Sequence, residues 1–539
     1  MKVLRWKQLS SMIFLLLIVM SVVVGCSKDN STKSNSDQKE TKETAEQDAS
    51  KKGSKELVVV LEGEPTSLDP QNSTDGNSSN VQESIFEGLL TFDSEMKLVP
   101  LLAKNYSFNE DATAITFELK EGIVFHDGTP FNAEVVKANL DFVRNEENGL
   151  ARASFFEFIN EVVVDNEYKV TIKSKEPNSA MAAYMAHASA SFKSVEEIKK
   201  KQADSNYNLD RNPVGTGPFT FGEWRDGVHV KLKASDNYWD KDNQPKLSGI
   251  VFKPVTEANT RVNMLKTGEA DVVTKLPTQS VKELSDTEGI DVFTGPSLNL
   301  FYVGMSLKHE KYQDVRVRQA LNYAVNKDQL ISQVMDGYGV VADSAIAPGV
   351  SGYAKQEAYE YNLEKAKQLL ADAGYEKGFK ATLWTRNETE FIAVAENVAI
   401  QLKAAGIEVE VQALESGTLF DKLDNNQGTD LWIGRWSPST GEADWGLRPN
   451  FGSDRVPPSY NNSGFYVNKE VDQLLQKALQ SPTEEGRLEN YGKLQEIVFK
   501  DAPWIFLYVP ENSVAKRSNV DNVTILPSDD VRVNGAEKK

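Results

Sequence analysis

The chain changes character at residue 56. Between residues 27 and 55 it is built from Ser, Lys, Asp, Glu, Gln, Asn and Thr, with no hydrophobic side chain larger than Ala45 and Ala49. Such a stretch buries too little apolar surface to offset its ordering entropy, so it is expected to stay disordered. From Glu56 onward, strand and helix patterns alternate. Leu57 to Leu61 reads as a buried strand stopped by Gly63 and Pro65. Ile115, Phe117 and Leu119 mark a half-buried strand, and residues 162 to 172 a strand pair around an Asp165-Asn166 turn. Helical faces are expected at Ala133 to Arg144, Val315 to Val325, Leu363 to Ala373 and Phe391 to Ala405. The last of these runs through Gly406 into the strand Ile407 to Val411. This helix–Gly–strand order points to α/β layers. A chain of 539 residues, 40% hydrophobic, is long enough for two to four domains at roughly 150 residues each.

Charge and rare residues exclude several functions. With 60 Lys+Arg against 79 Asp+Glu, the formal charge of −19 argues against nucleic-acid binding, which draws on clustered cations. One cysteine allows no disulfide within the chain, and His126, His187, His229 and His309 are spaced too irregularly for a His-built metal centre. No metal or cofactor is expected. Serine-hydrolase elbow, His-Glu-x-x-His, Walker loop and dinucleotide fingerprint are all missing, and His126 reads as a hydrogen-bonded residue beside a turn. The chain is therefore expected not to be an enzyme.

The N-terminus supplies an address. Lys2, Arg5 and Lys7 precede an apolar run from Met12 to Val24, too short to span a membrane comfortably. It ends Val23-Val24-Gly25-Cys26, which resembles a bacterial lipobox. The resemblance implies a signal peptide over 1–25, lipidation of Cys26, and a tether over 26–55. The protein is then lipid-anchored on the outer face of a bacterial cytoplasmic membrane, on a Gram-positive cell surface. An uncleaved N-terminal anchor is the alternative.

Five stretches in order carry a wider resemblance. They are Pro65-Thr66-Ser67-Leu68-Asp69-Pro70, Phe86-Glu87-Gly88-Leu89, residues 122–131, residues 213–219 and residues 315–324. Gly215 and Gly217 are expected to make tight turns before a strand. Together they resemble the family 5 extracellular solute-binding proteins, which carry peptides, nickel complexes or glutathione to ABC importers. The resemblance implies a two-lobed periplasmic-binding-protein-like α/β fold (type II, cluster C-like) with a hinge and an interlobe ligand cleft. Lobe I is expected at 56–300 plus 509–530, and lobe II at 301–508. Partners are ABC permease subunits with their ATPases, and the protein is expected to be a monomer.

Trp436 to Leu447 (Trp-Ser-Pro-Ser-Thr-Gly-Glu-Ala-Asp-Trp-Gly-Leu) resembles the corresponding loop of the glutathione-binding branch. In dipeptide-binding relatives this loop carries an Asp for the ligand ammonium, and Ser439 stands there here, beside Thr440. The implied ligand is glutathione or a similar short peptide. Alternatives are a general dipeptide or oligopeptide carrier, a peptide-sensing lipoprotein and a secreted hydrolase. Glu442 or Asp444 is expected to take the ammonium, and Arg386, with Arg435 and Arg448 in reserve, a carboxylate. Trp436 and Trp445 are expected either to wall the pocket or to pack the core. Arg448 reads equally as a solvated surface charge. Tyr302 lies with Asn299, Phe301 and Met305 on a stretch expected at one lobe crossover, the return falling near Leu507 to Pro510. Residues 73–77 close over the ligand or form a solvated loop.

Overall fold

The computed structural model describes residues 56–425, 429–457, 461–481 and 483–539. The export signal, Cys26 and the tether expected over 1–55 lie outside the described residues.

Strand Glu56–Leu61 pairs in parallel with Gly249–Pro254 on one side and Val272–Thr274 on the other. A parallel strand covered on both faces has no polar side, which explains the unbroken run Leu57 to Leu61. Antiparallel strands His229–Ala234 and Phe219–Arg225 extend this sheet. A second sheet is built from Leu300–Met305, Leu431–Trp436, Phe379–Arg386 and Ile407–Leu414, in that order. Its outer three strands run parallel.

One strand belongs to both sheets. Trp504–Arg517 pairs through Trp504, Ile505, Phe506 and Tyr508 with Leu300–Met305. Its later residues pair with Val272–Thr274 and, from Glu511 to Arg517, with Ile290–Pro296. The chain also passes between the sheets at residues 297–299, beside the middle of that strand. The result is two α/β lobes joined by two neighbouring crossings.

A separate antiparallel sheet holds Ala103–Phe108, Ala114–Leu119, Lys169–Ser174 and Ile159–Asn166. Helix Ala133–Arg144 packs on it through Val136, Leu140 and Val143, with Asn132 capping its first turn. The expected turn at Asp165-Asn166 is displaced. The strand continues through Asn166, whose Oδ1 accepts the Tyr168 N–H at 3.0 Å, so Glu167-Tyr168 forms the turn. Ser179 of the following segment donates its backbone N–H to Leu479 O at 3.0 Å and accepts from Arg487 Nη1 at 3.1 Å. These bonds tie the small sheet to helices Lys469–Gln480 and Glu484–Asp501, and one hydrophobic core runs across the junction.

Gly215 and Gly217 serve close approach rather than unusual dihedrals, since neither has positive φ. A Cβ on Gly215 would lie 2.0 Å from Ile85 O, where the Gly217 N–H donates at 2.9 Å. His126 Nε2 lies 2.8 Å from Gly217 O and fixes the same loop. Backbone cannot move aside as a side chain does. Gly215→Ala should therefore cost about 3 kcal/mol or more of unfolding free energy, read from the denaturant midpoint.

Candidate ligand cleft

The ends of several strands meet around a cavity of about 800 Å3. Arg386 and Trp436 close the C-terminal ends of two parallel strands, the usual address for a ligand in an α/β sheet. Leu300 pairs with Trp436, so the antiparallel strand brings Asn299 and Tyr302 to the same edge. Tyr302 stacks on Trp504 with ring centroids 3.5 Å apart and planes 8° apart. Its register partner is Gly434, and a Cβ there would sit 2.2 Å from Tyr302 Cζ. Gly304 opposite Trp432 repeats the arrangement, with its Cβ position 2.2 Å from the indole. Each glycine vacates the space that an aromatic ring crosses, which locks two cavity-lining rings in place.

Trp436 donates its indole N–H to Trp445 O at 3.0 Å. Trp445 lies edge-on to Phe155 at 5.5 Å and to Tyr184 at 5.9 Å. Both indoles therefore line the cavity and pack the core at once.

One wall of the cavity is cationic. Arg386 is only 16% exposed, its Nε has no hydrogen-bond partner, and its nearest carboxylate, Glu388, is 3.8 Å away. Burial, then the adjacent Arg435, pushes its pKa down. The Arg435 side chain has no hydrogen bond or ion pair among the described residues; it sits over Phe301 and Phe391, 5.9 and 5.7 Å from the ring centroids. Lys275 stands 3.3 Å from Glu62 and 3.5 Å from Asp529.

Acidic groups line the cavity as well. Asp529 adopts φ +77°, accepts from Asn299 Nδ2 at 3.1 Å through Oδ2, and leaves its buried Oδ1 without a partner. Burial, and then the neighbouring Glu83, raises Asp530 well above the usual carboxylate range. Glu83 itself is forked by Arg532 at 3.0 and 3.1 Å. Asp75, Asn77 and Asn80 reach the cavity from the start of helix Gly76–Gln82, as does Thr74 just before it.

Of the residues expected from sequence, Tyr302, Arg386, Trp436, Ser439 and Trp445 line this cavity. Thr440, Glu442 and Asp444 do not. Glu442 caps helix Ala443–Phe451 by accepting the Asp444 N–H at 2.6 Å, and faces Arg487 at 3.5 Å. Asp444 holds Arg448 at 2.8 and 2.9 Å and lies 3.4 Å from the Tyr491 hydroxyl. Arg448 is thus a buried ion-pair member, not a solvated charge. Neither carboxylate expected to meet a ligand ammonium lines this cavity. The acids that do face the cavity, Asp529 and Asp530, were missed because an irregular tail brings them 230 residues back to Asn299.

The family model for bacterial extracellular solute-binding proteins, family 5 (middle region) matches residues 97–457. The chain belongs to this family. Among its relatives is the glutathione-binding protein GsiB of Escherichia coli K12, 34% identical over 480 residues, covering 88% of this chain and 92% of that one. GsiB of Salmonella typhimurium is 33% identical over 490 residues, covering 90% and 95%. HbpA2 from Haemophilus parasuis superposes with a TM-score of 0.80 at 24% identity, over 90% of this chain and 99% of that one. The oligopeptide-binding protein AppA from Bacillus subtilis, solved with a nonapeptide, gives 0.74 at 26% identity, over 90% and 99%. The family is one of solute-binding proteins, and this cavity is the candidate site for a solute.

The buried loop charges carry two expected outcomes. Asp444→Ala leaves Arg448 buried without its partner, so unfolding free energy should fall by about 3 kcal/mol or more in chemical denaturation. Glu442 is raised to about 7, chiefly by burial. From about pH 4.5 to 7 the native state holds a proton that the unfolded chain has released, so stability falls as pH rises. Glu442→Gln should remove up to about 3 kcal/mol of that decline, measured by denaturation at pH 5 and 8.

Proposed function

We propose that this protein captures glutathione or a closely similar short peptide and presents it to an ABC permease with its ATPases. The observation that carries the reading is the unequal state of the cavity's charges. Arg386 and Arg435 face it with free N–H groups, while the buried Asp529 Oδ1 is an unused acceptor. A γ-glutamyl tripeptide brings two carboxylates and one ammonium to two arginines and one aspartate; an ordinary uncharged dipeptide brings one of each. Enclosure strengthens every such contact, because each ligand charge leaves water only where an opposite charge or several hydrogen bonds await it. The GsiB relatives, named for glutathione, support the same ligand.

In this reading lobe I comprises 56–300 and 509–530, lobe II comprises 301–508, and the ligand favours the closed arrangement by its higher affinity for it. The lipid on Cys26 and the tether hold a monomeric receptor near its importer on the outer face of a Gram-positive membrane. No bond of the ligand is cleaved.

A longer peptide is the second reading, and one feature favours it. Past Asn299, Lys275 and Arg435 the cavity continues into a hollow of about 510 Å3 beside Glu390 and Arg261. Calorimetric titration of protein stripped of carried ligand, with reduced glutathione, oxidised glutathione and di- to pentapeptides, separates the two. Glutathione should bind at micromolar Kd or tighter and ordinary peptides weakly. Arg386→Ala and Arg435→Ala should each weaken glutathione by more than about 2 kcal/mol. Heat from ordinary peptides alone would establish the longer-peptide reading instead.

A further inference from the structure

Thr440, Glu442 and Arg487 surround a second cavity, of about 670 Å3, that the cleft does not use. Its walls come from distant parts of the chain. Phe92, Met96, Leu98 and Phe108 line it together with Ser179 and Ala183, Val350 and Ser351, and Thr440, Glu442 and Arg487. Among the described residues Phe92 alone lines both this cavity and the cleft.

Three polar atoms there are buried without a hydrogen bond: Thr440 Oγ1, Glu442 Oε1 and Arg487 Nε. Thr440 is fully buried and Glu442 is 3% exposed. The Glu442–Arg487 pair does not satisfy itself. At 3.5 Å it is an ion pair without a hydrogen bond, and Arg487 spends Nη1 on Ser179 O. Glu442 spends its other oxygen on the Asp444 N–H. Orphaned buried groups of this kind are rare in a folded protein and call for a partner. What is missing is a donor facing Glu442 and Thr440, and an acceptor facing Arg487. The rest of the wall is mixed: Phe92, Met96, Leu98, Phe108 and Val350 give it an apolar portion, and Glu95, Lys97, Ser351 and Glu484 a polar one.

We propose that this cavity binds a free apolar α-amino acid, with its ammonium on Glu442 Oε1 and Thr440 Oγ1, its carboxylate on Arg487 Nε, and its side chain against Phe92, Met96 and Phe108. The ligand's two charges complete the two half-satisfied protein charges, so neither ion remains buried alone. A simple amine would leave Arg487 unsatisfied, and a simple fatty acid would leave Glu442 so.

L-Leucine and L-phenylalanine are the probes, titrated calorimetrically into the full chain after unfolding and refolding to remove carried ligand. Both should bind. Glu442→Gln keeps a cap acceptor for helix Ala443–Phe451 but loses the charge, and should weaken them at least about tenfold. Leu98→Trp should block them by occupying the cavity that Leu98 lines, and serves if Glu442→Gln does not fold. Arg386→Ala should leave amino-acid binding intact, and Glu442→Gln should leave glutathione binding intact. No heat from either amino acid overturns the proposal. So does loss of their binding in Arg386→Ala, which places them in the cleft, or undiminished binding in Glu442→Gln and Leu98→Trp.

Discussion

The backbone ladder of Trp504–Arg517 is the constraint on which the two lobes depend, because a single strand supplies hydrogen bonds to both sheets. The join is not uniform along its length. The register against Leu300–Met305 shifts between Phe301 and Tyr302, and Phe301 and Tyr508 stack at 4.9 Å and 7° beside that shift. A bulge bends and twists a strand locally, and here it falls where the chain passes from one sheet toward the other. Pro510, which has no N–H to give, follows within the same strand and pairs with Gly339 of a short edge strand. The ladder is thus weakest where the lobes change over, and bending there disturbs the fewest bonds.

The same edge explains why the cleft is preformed. Tyr302 and Trp432 each cross a glycine on the neighbouring strand, and backbone rather than a mobile side chain limits where each ring can go. Side-chain ordering has then been met at folding, which lowers what the ligand must pay on binding. The acidic groups work differently. Asp529 sits in the left-handed region, a conformation that Asp tolerates better than most residues, and the strain holds its carboxylate toward Asn299 and Lys275.

Much of the scaffold was legible in the sequence. Helix Ala133–Arg144 lies where its apolar face predicts, and Val315–Ala324, Leu363–Asp372 and Thr389–Ala404 agree to within two residues at each end. Periodicity and caps are local properties, so they survive in one dimension. The aromatic and basic half of the cleft was legible as well, because Tyr302, Arg386, Trp436 and Trp445 sit at strand and helix ends. Its acidic half was not. Glu442 and Asp444 looked available because they stand among cavity-lining tryptophans, but helix Ala443–Phe451 turns them inward to Arg487 and Arg448. Which side of a short loop faces the cleft depends on helix Glu484–Asp501, whose arginine is more than 40 positions away. Asp529 and Asp530 belong to a tail with no regular element of its own between Ile525 and Val531.

The basic half also shows how a buried cation can be held without being used up. Phe391 lies under both guanidiniums, 4.5 Å from Arg386 and 5.7 Å from Arg435, and Phe420 and Phe301 complete the two stacks. A ring face attracts a guanidinium by its quadrupole and takes none of its N–H groups. A carboxylate in the same place would hold the cation more firmly but would occupy the donors that a ligand needs. The repulsion between two such close arginines remains, and after burial it is the next cause that lowers the pKa of Arg386. An incoming pair of carboxylates relieves that repulsion and the desolvation together. Under the proposed function this arrangement favours a ligand with two carboxylates, since a single carboxylate relieves less of the repulsion.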